Sequence, residues 1–138
     1  VSEFQKLYSG RLWAVMSWQQ LEAFWPRIGG AGWFIYAVGE PPPSAPSSAR
    51  ALSAFIAQLD ALLRREHHHD YCGIVYADRL DAPGFVKIFD PNHLGVSCGC
   101  SDKPPLPGWV LSRVAPEDLG PAAALPEGRK RWWRGLFK

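Results

Sequence analysis

Apolar residues recur at three- and four-residue steps through Leu52, Phe55, Ile56, Leu59, Leu62 and Leu63. That spacing lays a single stripe along an α-helix. The pattern predicts a helix from about Ala49 to Glu66, capped by Ser47 or Ser48. Arg64 and Arg65 fall in its last turn, where the helix dipole favours cations. Each fully buried Leu or Phe contributes roughly 1.5–3 kcal/mol, so this stripe is a large part of the expected core.

Two shorter helices precede it. Ser2 and Gln5 have the spacing of a capping box, and Gly10 follows as a stop, which predicts a helix over Ser2–Tyr8. Ser17 with Gln20 opens a second helix, whose Trp18, Leu21, Phe24 and Trp25 share one face until Pro26 and Gly29-Gly30 end it.

Five segments read as strands: Arg11–Met16, Gly32–Val38, Tyr71–Ala77, Phe85–Phe89 and Gly108–Val114. The turn-rich stretch Asp78–Gly84 makes the third and fourth a hairpin. Gly32–Val38 is apolar on both faces, which places it centrally in a sheet. Glu40–Ser48 is a proline-rich loop, Asp90–Pro107 a long loop, and residues 115–128 irregular. The expected fold is α+β: a mixed or mainly antiparallel sheet of about five strands, with the long amphipathic helix and the shorter helices packed on one side. Residues 1–128 are expected to form a single globular domain, and residues 129–138 a basic aromatic C-terminal tail.

Charge sharpens that division. The chain has 138 residues and a net charge of +2. Segment 129–138 holds Arg129, Lys130, Arg131, Arg134 and Lys138 with no acid. The rest is mildly acidic, so the basic pI belongs to the tail and does not mark a basic nucleic-acid surface on the body. No stretch reaches the ~20 apolar residues of a membrane span. Val1–Gly10 shows no basic lead followed by an apolar run, and three cysteines are an odd number for a disulfide framework. These features predict a soluble, cytoplasmic protein. Low Lys with high Arg, Ala and Pro suggests a GC-rich bacterial genome.

Candidate chemistry is sparse. His67-His68-His69, with Glu66, Asp70 and Cys72 nearby, gathers metal-ligating side chains. Consecutive residues do not share a helix face, so a solvated helix end competes with that reading. In the long loop, His93, Cys98 and Cys100, with Cys72 or the histidine run as a fourth ligand, offer a zinc site, or the two cysteines a redox dithiol. One residue between the two cysteines is short for a zinc knuckle, and a disulfide across it is strained. Asp78, Asp81, Asp90 and Asp102 lie in turns, where Asp serves the backbone, or else an active site lies on the 90–107 loop. Gly29-Gly30-Ala31-Gly32 precedes a strand, whereas a phosphate loop follows one, so it reads as a hinge. In the tail, Arg129, Arg131, Trp132, Trp133, Arg134 and Phe137 can bind a protein partner, nucleic acid or an anionic membrane surface, or the aromatics can close the core.

Three classes of function stay open. The leading expectation is a non-enzymatic accessory or protein-interaction module with no cofactor. The alternatives are a metal- or thiol-dependent protein using the His93/Cys98/Cys100 loop, zinc being the metal, and a small-substrate enzyme with its site on that loop.

Overall fold

The computed structural model describes residues 2–67, 71–91 and 106–119. In chain order these form α1 (Glu3–Ser9), β1 (Trp13–Ser17), α2 (Trp18–Phe24), a 3-10 turn (Trp25–Arg27), β2 (Phe34–Ala37), α3 (Ala49–Glu66), β3 (Tyr71–Ala77), β4 (Phe85–Ile88) and β5 (Trp109–Ser112). The fold is α+β.

Serine hydroxyls start all three helices. Ser2, Ser17 and Ser48 accept from the backbone N–H groups of Gln5, Gln20 and Ala51 at 3.1, 2.9 and 3.1 Å. Each satisfies one donor that a helix start leaves without a partner in the helix. Neither glutamine turns back to its own cap. Gln5 donates to Glu117 at 3.1 Å, and the Gln20 carbonyl accepts the N–H of Met16 at 2.9 Å. Ser47, the other candidate cap for α3, instead gives both its N–H and its hydroxyl to the Trp33 carbonyl, each at 2.8 Å.

The strands form one five-stranded sheet in the order β1-β3-β4-β5-β2, with every neighbouring pair antiparallel. The expected central position of the Gly32–Val38 segment is therefore wrong: β2 is an edge strand. Its two apolar faces have another cause. Ile35 and Ala37 enter the main core with the α3 stripe, while Tyr36 and Val38 enter a second core with Phe4 of α1. Consecutive strand residues face opposite sides of a sheet. Hence α1 lies on the face opposite α2 and α3, and the expectation that all helices share one side is also corrected. Phe4, Tyr36, Val38, Phe85 and Val110 make up this second core, with Leu106 and Leu119 packed against it.

β3 breaks the simple alternation. Between Val15↔Val75 and Ser17↔Tyr71, β1 advances two residues and β3 four. The surplus forms a bulge at Gly73, whose φ of 68° is a left-handed conformation costly for any residue with a Cβ. The bulge turns Cys72 and Ile74 to the same side as Val75 and Ala77, so all four share the main core.

The β3–β4 connection hangs on one carboxylate oxygen. Asp78 Oδ1 accepts from the N–H groups of Arg79, Gly84 and Phe85 at 2.9, 2.9 and 3.1 Å. Replacing Asp78 with Ala strands Gly84 and Phe85 donors that are partly buried. Asp78→Ala is expected to lower the unfolding free energy by about 2–3 kcal/mol in urea titrations, with Asp78→Asn, which keeps an acceptor, recovering most of it. Gly73→Ala, measured the same way, is expected to cost about 1–2 kcal/mol.

Candidate functional site

Of the metal ligands expected from the sequence, Cys72 is described and His93, Cys98 and Cys100 lie outside the described residues. Cys72 is fully buried on β3 in the main apolar core. Burial pushes its thiol pKa up. A thiol held protonated in an apolar interior is a weak nucleophile and a poor ligand.

His67 follows α3 and is 5% exposed, so the solvated-helix-end reading fails for this residue. Its Nε2 lies 2.7 Å from the Cys72 carbonyl oxygen, and its ring meets Trp18 edge-on. A carbonyl only accepts, so Nε2 carries the proton in this contact. The nitrogen is thereby committed to joining the end of α3 to β3. His68, His69 and Asp70 lie outside the described residues. Among the described residues, no three His, Cys, Asp or Glu side chains gather as metal ligands.

The described loop acids are occupied structurally. Asp78 holds the hairpin connection, and Asp81 pairs with Arg79 at 2.7 Å on the open surface. That pair lowers the Asp81 pKa and raises that of Arg79, through their hydrogen bond first and their charges second. Asp90 is 2% exposed, packed where Gly108 passes it so closely that an added Cβ would stand 3.3 Å from its Cβ. Asp102 lies outside the described residues, as do Arg129, Arg131, Trp132, Trp133, Arg134 and Phe137 of the tail.

Gly29–Gly32 is irregular backbone leading into Trp33 and β2. Gly30 and Gly32 take φ values of 84° and 96°. Gly29 O accepts from the indole N–H of buried Trp33 at 3.2 Å, and Arg113 covers that indole ring, 4.8 Å from its centroid.

Two surface features emerge that the sequence did not single out. One is an open groove of about 640 Å³ between α2, the 3-10 turn and α3, lined by Glu22, Trp25, Ile28, Ser53, Ile56 and Asp60 among others. Its polar groups hold one another. Asp60 accepts from the Trp25 indole at 3.0 Å and from Arg64 at 2.9 Å, and Arg64 also reaches Glu22 at 3.2 Å. The guanidinium lies 5.2 Å from the centre of the Trp18 ring. The Asp60/Arg64 step of four residues was the available sequence signal for that pair.

The other feature is the β1 edge. β1 is the first strand in the sheet order and pairs only with β3 among the described residues. Trp13 and Met16 are 51% and 55% exposed, the two exposed large hydrophobic residues among those described, and both sit on this strand. Trp13 shares the sheet face of Val15, and Met16 the opposite face with Ala14. The strand carries no charge, proline or glycine. Its pattern was legible as a short apolar run, but the exposure was not. No protein-family model, curated protein or solved structure matches this chain.

The buried position of Cys72 sets a reactivity. In a chain carrying Cys98→Ser and Cys100→Ser, so that Cys72 alone reports, a thiol-disulfide reagent at pH 8 is expected to label the native protein at least about tenfold more slowly than the urea-unfolded one.

Proposed function

We propose that this chain is a non-enzymatic protein-interaction module that receives an extended segment of its partner along the β1 edge. The observation that carries this reading is the coincidence of a sheet edge on which no other described strand pairs and the exposed Trp13 and Met16, one on each face of the same strand. An added strand gains main-chain hydrogen bonds from such an edge, and side-chain contacts from the residues that flank it. Proteins normally blunt edges of this kind with charges, prolines or a covering segment. The opposite edge of the sheet follows that rule: the proline-rich segment after β2 is latched to Trp33 through Ser47. β1 does not. The loop acids weighed for catalysis are, where described, engaged in a turn, an ion pair or the interior, which favours interaction over chemistry. The tail's five basic residues and two adjacent tryptophans support the same class of function by composition.

The test compares the wild-type chain with the Trp13→Ser/Met16→Ser variant, each purified with its bound proteins from the source cells. The two side chains are half exposed, so the variant is expected to unfold within about 4 °C of wild type. It is also expected to lose the proteins that accompany wild type. A stably folded variant that retains every protein bound by wild type, further copies of this chain included, overturns the reading.

A further inference from the structure

We propose that the strand received at the β1 edge is β1 of a second copy, paired antiparallel about a two-fold axis at Val15. The proposal rests on the interaction reading above and specifies the partner. Its first support is the direction of the backbone groups. The partners of Trp13, Ala14 and Val15 on β3 are Ala77, Tyr76 and Val75, and the N–H of Met16 turns away from β3 to the Gln20 side chain. N–H and C=O groups alternate in direction along a strand, so Ala14 and Met16 present theirs to the open edge. An antiparallel pair about Val15 sets Ala14 opposite Met16 of the second copy, and Met16 opposite its Ala14. Both pairs then exchange hydrogen bonds.

The second support is shape. This is the one register that pairs all five residues of β1 with themselves. It sets large beside small on both faces: Met16 beside Ala14 across one face, Trp13 beside Ser17 across the other. The two most exposed apolar side chains thus each gain a small neighbour with room beside it. The third support is charge. No ionised side chain lies within Trp13–Ser17, so the two-fold axis brings no like charges together within the strand. An isologous contact requires this kind of self-complementarity. Gln20 is the group that must move, because its carbonyl holds the Met16 N–H that the second strand would claim.

A five-residue strand pair is a small interface, so association is expected to be weak and to require high concentration. The experiment follows sedimentation and backbone amide exchange from about 10 μM to about 1 mM chain, a range that brackets such a dissociation constant. The set is wild type, Met16→Glu, Ala14→Lys, and the double variant Ala14→Lys/Met16→Glu. Wild type is expected to dimerise, with the amides of Ala14 and Met16 slowed at least about tenfold as the dimer forms. Each single variant is expected to weaken association at least about tenfold. The double variant is expected to recover much of it, because only the Val15-centred register places the two opposite charges side by side twice.

A wild-type chain monomeric throughout, with exchange independent of concentration, overturns the proposal. So does a dimer that neither single variant weakens, or one the double variant fails to restore while its thermal unfolding matches wild type. If the chain is monomeric but Trp13→Ser/Met16→Ser still sheds its co-purifying proteins, the edge takes a heterologous strand: the self-pairing fails and the interaction reading stands. If nothing is shed either, both fail.

Discussion

The stripe Leu52, Phe55, Ile56, Leu59, Leu62 and Leu63 shares one core with Val75, Val86, Ile88 and Leu111 from the middle of the sheet. Helix α3 can be buried along that whole stripe only if the strands beneath it present apolar residues continuously. β3, whose period of two would otherwise turn Cys72 and Ile74 away, meets this demand by bulging at Gly73. His67 then ties the end of α3 back to β3 through the Cys72 carbonyl. His67 and Cys72, both named among the candidate metal ligands, are here placed by one packing problem.

A second consequence follows for polar groups. Burial and turn geometry leave backbone donors that must be satisfied, because an unmet buried donor costs free energy. Asp78 answers three at the hairpin connection, and Tyr36 offers its phenol oxygen to the N–H of Leu119 at 3.0 Å. Burial and nearby Asp118 raise the Tyr36 pKa against the lowering effect of that bond, burial being the largest influence. Asp78 was a candidate for chemistry in the sequence, and in the fold both residues serve the backbone.

The two ends of the sheet differ in kind. At β2 the chain folds back through its prolines and fixes Ser47 on Trp33. At β1 it runs directly into α2, and the described protection is a single side-chain amide from Gln20. β4 and β5 send apolar residues into both cores, whereas β1 has a large apolar side chain exposed on each face. An interface there extends the hydrogen-bonding of the sheet without disturbing either core.

What the sequence determined by itself is local. Leucine spacing marked α3, serines marked the helix starts, and Asp78–Gly84 marked the turn of the β3–β4 hairpin, because helix period, capping and chain reversal depend on residues a few positions apart. The order of the strands was not legible. Apolar residues on both faces say that both faces are covered, and an edge strand between two layers satisfies that as well as a central one; β2 is such a case. Nor was the side on which α1 packs, the bulge at Gly73, or the exposure of Trp13 and Met16. Those depend on which segments, far apart in the chain, compete for the same apolar surface, and only the tertiary structure decides that Val15 is covered while its neighbours on the edge are not.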